Sequence, residues 1–248
     1  MRAKAYAKIN LALDVLGKDK KTGYHKIRTV FYEYKNLYDE IEIKSAKKDK
    51  VEGWYKGKKI SILKKDDIVF KTIELIKRTK RIKNKYVNVK VLKKTPWGSG
   101  LAGGSSDAAA VLKGLNKLWN LKLSKKDLIK IGGKIGKDVP FFILGGIALG
   151  ENFGEKLTPL PQVKLNIKLL PKKSPRKTKT KYMYQRIDLK KCGKESEKTK
   201  KLLMGIKTGN KKMIIENLHN DFETIPANKP KKGWHLCGAG PSVFKAIV

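Results

Sequence analysis

The chain has 248 residues and 40% apolar content, enough for one substantial core or two small ones, which excludes a disordered chain. Lysine and arginine outnumber aspartate and glutamate 59 to 22, and the resulting net charge of +37 brings polyanionic partners into consideration. Only six of the basic residues are arginine, the type that bidentate base and phosphate recognition recruits, so lysine spread along the chain argues against a nucleic-acid footprint.

From Ala3 to Val15 small or apolar residues alternate with polar ones, which predicts a long strand with one buried face, Lys8 and Asn10 sharing the other. Lys18 to Gly23 reads as a turn and Ile27 to Lys35 as a second strand. Asp66 to Arg78 places Ile68, Val69, Ile73 and Ile76 at helical spacing, and Tyr86 to Leu92 reads as a strand. Helices follow at Ser105 to Leu118 and at Lys125 to Ile135, the latter opened by a capping box of Ser124 and Asp127. The composition shifts after Pro161, a candidate domain boundary. Beyond it, Val163 to Leu170 is strand-like and Pro171 to Lys181 is a basic loop, which reads as a solvated segment, an electrostatic guide for an anionic substrate, or a nucleic-acid contact. Short helices are expected at Tyr182 to Ile187, Lys198 to Ile206 and Lys211 to Leu218, then two strands between Trp234 and Val248 flanking Cys237-Gly-Ala-Gly-Pro.

No uncharged stretch approaches the roughly 18 residues of a spanning helix, and Arg2, Lys4, Lys8 and Asp14 interrupt the N-terminus, unlike a signal peptide; a cytoplasmic location is expected. Cys192 and Cys237 lie far apart and His25, His219 and His235 form no pair at ligand spacing, so neither a structural metal nor a disulfide is expected.

The feature richest in chemistry is the glycine loop Pro96-Trp-Gly-Ser-Gly-Leu-Ala-Gly-Gly-Ser-Ser, which runs straight into a helix. Glycines let successive N–H groups face one point and the helix adds its positive end, a combination that favours phosphate; Ser105 and Ser106 add hydroxyls that could donate or ligate a metal. It lacks the lysine of a P-loop and the strand-turn-helix context of a dinucleotide fingerprint, and a serine-capped flexible linker is the alternative. Taken alone, Asp138 reads as a helix N-cap, Lys8 as a solvated strand lysine, and Tyr24 with His25 as turn residues.

Read together, AKINLALDVLGK, the GYH of Gly23 to His25, GLAGGSSDAAAVLKGLNKLWNL, IGKDVPFFILGG and CGAGPSVF occur in an order that resembles the GHMP kinase superfamily, and within it the branch that phosphorylates a cytidine diphosphate derivative of methylerythritol. The resemblance spans nearly the whole chain. It implies a two-domain α+β fold, with a nucleotide-binding α/β domain over residues 1–161 and an α+β substrate domain over 162–248. The latter looks shortened, because the family pattern continues further beyond Phe244. It implies ATP as cofactor; Mg²⁺ is expected because phosphoryl transfer generally uses it to neutralise the ATP oxygens, and a monomer or homodimer without membrane association is expected. Lys8 and Asp138 match the catalytic lysine and aspartate. Pro96, Gly98, Gly100, Leu101, Ala102, Gly103, Gly104, Ser105 and Ser106 match the ATP loop. Asn10, Tyr24, His25, Thr180 and Tyr184 match substrate positions, the histidine reading the cytosine edge and Tyr184 stacking one face of the base.

Departures from the pattern are Asp67 where asparagine is usual near the adenine pocket, Asn152-Phe153 where Gly-Arg is usual, and Cys237 at a serine position. A kinase for mevalonate or homoserine, and a basic nucleic-acid-binding module on a degenerate kinase fold, are the competing readings.

Overall fold

The computed structural model describes residues 1–60, 66–174 and 179–247; Arg176 and Lys177 of the basic segment, and Val248, lie outside them. The elements in chain order are β1 (Arg2–Lys18), β2 (His25–Ala46), β3 (Lys50–Tyr55), β4 (Lys58–Ile60), α1 (Ile68–Lys80), β5 (Tyr86–Lys93), α2 (Gly103–Leu118), α3 (Lys125–Ile135), α4 (Val139–Leu144), β6 (Ile147–Glu151) and β7 (Lys156–Leu160), followed by β8 (Asn166–Leu170), α5 (Lys179–Arg186), α6 (Ser196–Thr208), α7 (Lys211–Glu216), β9 (His219–Asn220), β10 (His235–Leu236) and β11 (Val243–Ile247). They form two compact units that alternate along the sequence: Met1–Ala7, Tyr34–Thr95 and Ala102–Leu144 in the first, Lys8–Glu33, Pro96–Leu101 and Gly145–Val248 in the second. This division follows packing. A cut at Pro161 follows chain order and falls inside the second unit.

In the first unit Glu40 to Ala46 of β2 pairs antiparallel with β5, β3 lies parallel to β5, and β4 closes a hairpin on β3. A parallel pair needs a crossover, and α1 lies within it. Asp67 caps that helix, accepting from the N–H groups of Val69 (2.8 Å) and Phe70 (3.2 Å), while Val69, Ile73 and Ile76 form its buried stripe. Asparagine would cap equally well, so the departure at Asp67 preserves the helix start. Helix α2 is built of small residues because it lies close to the sheet: a Cβ at Gly114 would stand 2.5 Å from Ile43 Cδ1. The capping box on α3 is formed as the sequence predicts.

In the second unit β2 pairs with β6 through Thr29 to Tyr32, β7 pairs with β6, and β9 lies parallel to β1 with Ala12 opposite His219. A separate sheet has the order β10-β11-β8. Leu13, Val15, Ile27, Met183, Phe222, Ile225 and Leu236 form a buried cluster. This cluster explains why α5 begins at Lys179, inside the segment expected to be a loop up to Lys181: Met183 is buried in it and Tyr182 and Tyr184 pack against it, so tertiary packing makes a helix where local composition gives no apolar period.

The larger difference lies in β1. Its alternation predicts one solvated face, yet every residue from Ala7 to Val15 is buried, including Lys8, Asn10 and Asp14. Asp14 accepts from the Thr199 hydroxyl (2.6 Å) and from His219 Nε2 (3.0 Å), whose Nδ1 faces the Asn217 carbonyl at 3.0 Å. Both ring nitrogens therefore meet acceptors, and the imidazolium form satisfies both. Burial pushes the His219 pKa down, but the bonds to Asp14 and Asn217 outweigh it and leave it raised; burial pushes Asp14 up, but His219 and Thr199 leave it lowered.

The raised His219 pKa contributes stability that is complete below its ordinary value of 6.5 and is lost as pH rises through the folded value. The lowered Asp14 pKa contributes stability that is lost as pH falls below 3.8. His219→Gln is expected to cost about 3 kcal/mol at pH 6, since it leaves a buried carboxylate without its cation. The gap from the native chain should narrow as pH is raised above 6.5 and through the folded His219 value. Urea unfolding across that range checks this, and a gap independent of pH would refute the charged pair.

Candidate active site

Lys8 is only 5% exposed, which removes the solvated-lysine reading. Its Nζ donates to Asn10 Oδ1 (2.6 Å) and to the Gly100 carbonyl (3.1 Å), and stands 5.7 Å from the centre of the Phe31 ring. Backbone bonds from Lys8 N to Leu101 O and from Asn10 N to Cys237 O bring the two glycine-rich segments against this stretch of β1. Ser242 N bonds to Ser99 O and joins those segments to each other. A Cβ at Gly238 would lie 2.9 Å from the Gly100 oxygen and 3.0 Å from Lys8 Nζ, so only glycine lets the C-terminal loop approach this closely. Cys237 beside it is buried with its thiol pKa pushed up by burial, which fits a small packing residue and not a nucleophile.

In the first unit the glycine loop ends at α2. Ala102, its N-cap residue, has φ +55° and no side-chain capping bond, whereas α1, α3 and α7 are capped by Asp67, Ser124 and Asn210. The first N–H groups of α2 thus have no side chain of the cap residue competing for them, as an anion site requires. Gly103 is packed tightly, for a Cβ there would stand 2.8 Å from Thr95; at Gly104 the nearest atom, Ile68 Cγ2, is 3.6 Å away. Ser106 is buried and Ser105 half-buried.

Sequence reasoning missed the charged group beneath this turn. Lys93 Nζ donates to Asp39 and to Asp107 (2.6 Å), and Asp39 also accepts from the N–H groups of Lys94 and Thr95. Burial pushes Asp107 up to about 8 against the pull of Lys93, since Asp39 competes for the same cation. The only signal was an aspartate directly before an alanine run in the helix expected from Ser105 to Leu118.

Asp138 is half-buried in the turn before α4. Among the described residues its carboxylate accepts no hydrogen bond, so the N-cap reading lacks the bond that defines a cap.

His25 stacks on Tyr184 with ring centres 4.8 Å apart and planes 25° apart, and Phe222 meets Tyr184 in a T-shaped contact. Burial, with the charge of Lys18, holds the His25 pKa below its usual value, so the ring is neutral at pH 7. Tyr24 is 56% exposed, its ring 5.7 Å from that of Phe153, and Thr180 is exposed in the first turn of α5. His25 and Tyr184 are therefore brought together, with the imidazole over Tyr184 where a base was expected to stack.

The pattern of the GHMP kinases N terminal domain matches residues 67–146. A protein named 4-diphosphocytidyl-2-C-methyl-D-erythritol kinase from Caldicellulosiruptor saccharolyticus is 39% identical over 98% of this chain and 87% of its own length. One of the same name from Clostridioides difficile is 37% identical over 98% and 86%. The chain belongs to the 4-diphosphocytidyl-2-C-methyl-D-erythritol kinase family. A crystal structure of 4-(cytidine 5'-diphospho)-2C-methyl-D-erythritol kinase shares the fold with a TM-score of 0.77, at 23% identity, covering 100% of this chain and 90% of its own. Members of the GHMP superfamily are ATP-using kinases, and this chain is an ATP-dependent kinase of that group with the mixed α+β fold expected. No helix among the described residues is long and apolar enough to cross a membrane.

The spacing at the two adjacent glycines yields a test. Gly104→Val adds bulk where the fold has room, so the unfolding midpoint should change little while affinity for an ATP analogue falls tenfold or more. Gly103→Ala should instead destabilise the protein by about 1–3 kcal/mol. Calorimetric titration beside thermal unfolding separates the two, and a folded Gly104→Val variant with native affinity would refute the phosphate assignment.

Proposed function

We propose that the chain transfers the γ-phosphoryl group of ATP to a hydroxyl of 4-diphosphocytidyl-2-C-methyl-D-erythritol, a step of non-mevalonate isoprenoid precursor synthesis, in the cytoplasm. The observation that carries this reading is the 34–39% identity, over 98% of the chain, to kinases that bear that substrate in their names.

An alcohol is a weak nucleophile, and Asp138, whose carboxylate accepts no hydrogen bond among the described residues, is suited to accept the hydroxyl proton. The hydroxyl oxygen then bonds to the γ-phosphorus as the bond to the ADP oxygen breaks, and Lys8 offsets the charge that develops. Loop residues Pro96 to Ser106 hold the phosphates through backbone N–H groups. Among the described residues no group of three or more His, Cys, Asp or Glu side chains is placed to hold a metal. We assign Mg²⁺ to the ATP phosphates, where its chemistry would be to neutralise phosphate oxygens, with the Ser105 and Ser106 hydroxyls as candidate protein ligands.

The aromatic group favours a nucleobase over mevalonate or homoserine, acceptors with nothing to stack. Neutral His25 can donate one hydrogen bond and accept another, and Tyr184 offers a face once His25 turns aside toward the base edge. We assign Asn10, Tyr24 and Thr180 to the same substrate region, and nucleic acid to no role beyond weak, salt-dependent attraction to the positive surface.

Two measurements test the reading. Phosphorylation of the cytidine diphosphate alcohol should far exceed that of free mevalonate or homoserine, and preference for either free acceptor would overturn it. Asp138→Asn should lower turnover by about 10² to 10⁴ with substrate affinity little changed; near-native turnover would remove Asp138 as the base.

A further inference from the structure

The reading of Lys8 as a catalytic cation leaves open what aims it. The answer lies one strand away, at a residue that no motif singles out. Thr29 on β2 is fully buried, and its hydroxyl makes two contacts of 2.6 Å, one with the Ala12 carbonyl and one with Asn10 Nδ2. A hydroxyl has one proton. The Ala12 carbonyl can only accept, so the proton is spent there, and toward Asn10 the threonine oxygen can only accept. This forces the NH₂ end of the Asn10 amide toward Thr29 and the oxygen end toward Lys8, where Oδ1 receives the ammonium at 2.6 Å. The reverse orientation would set the amide oxygen against the proton-free side of the Thr29 oxygen, giving up that bond, and would turn a donor toward the ammonium. With the Gly100 carbonyl as a second acceptor, Nζ is fixed from two directions.

We propose that Thr29 is a positioning residue for the phosphoryl-transfer step, acting through Asn10 to hold the Lys8 ammonium in place. The inference rests on Lys8 being the catalytic lysine of the proposed reaction. It also changes the part Asn10 plays: both ends of its amide are engaged within the protein, so its first task is to hold Lys8, and any contact with substrate is additional to that.

Thr29→Val keeps the shape and the β-branch but removes the acceptor. The Asn10 amide then has a buried donor without a partner and no bond that selects its orientation. Turnover is expected to fall about tenfold or more, with the KM for ATP and for the alcohol acceptor changed less than twofold, because a displaced cation weakens the transition state more than either ground-state complex. Thr29→Ser restores a hydroxyl without the methyl group and should recover most of the loss. A second readout needs no turnover: in the native protein the two Asn10 side-chain amide protons, assigned by their disappearance in Asn10→Asp, should exchange slowly with solvent by NMR, and in Thr29→Val they should exchange faster. Native turnover in Thr29→Val, a serine variant as poor as the valine one, or rapid exchange of the Asn10 amide in the native protein would each overturn the proposal. If the native protein instead phosphorylates none of the acceptors while the amide protons are protected and released as expected, the reaction assignment fails and the Thr29–Asn10–Lys8 arrangement stands. The exchange measurement thus decides the arrangement even if Thr29→Val folds poorly.

Discussion

A strand buried on both faces cannot leave a polar side chain to water, and β1 carries three of them between Ala7 and Val15. An unpaired buried charge costs several kcal/mol, so Lys8 and Asp14 are tolerable only with partners fixed nearby. Those partners come from widely spaced parts of the chain: Asn10 and Gly100 for Lys8, Thr29 for Asn10, Thr199 and His219 for Asp14. The need to satisfy one strand therefore draws together β2, the glycine loop, α6 and β9. The same requirement that makes the strand costly makes its lysine immobile, and an immobile cation is what phosphoryl transfer asks for.

The two buried lysines solve the same problem differently. Lys93 sits between two carboxylates, which hold it ionised and raise its pKa despite burial. Lys8 donates to an amide oxygen and a carbonyl, which fix its position from two directions. Most of the other lysines face solvent, where exposed pairs such as Lys200 with Glu197 contribute little to stability.

Local signals were legible and long-range ones were not. The capping box of Ser124 and Asp127, the start of α1 within two residues of Asp66 and the two short strands around the C-terminal glycines were all readable, because a turn or cap is decided by residues within a few positions. The burial of Lys8 was not, since an alternating strand looks the same whether its polar face meets water or other protein. The Lys93 group was hidden for a related reason: Asp39 and Asp107 lie 54 and 14 residues away, and nothing local marks them as partners. The hairpin β3–β4 was obscured by its lysines, which lower its apparent strand character. The His25–Tyr184 pair was half legible, in that both residues were assigned to one region, while their stacking on each other depends on α5 docking against the core cluster.

The alternation of the two units along the sequence has a consequence for synthesis. The last segment of the first unit ends at Leu144, so every residue it needs has been translated while more than a third of the chain is still to come. Residues 8–33 and 96–101, by contrast, belong to a unit whose remaining residues are translated last, and the partner that neutralises Asp14 is His219. Until the ribosome reaches it, β1 emerges as a strand with apolar residues and an uncompensated carboxylate, the kind of exposed edge that invites mispairing. In that interval the lysine excess makes copies of the chain repel one another.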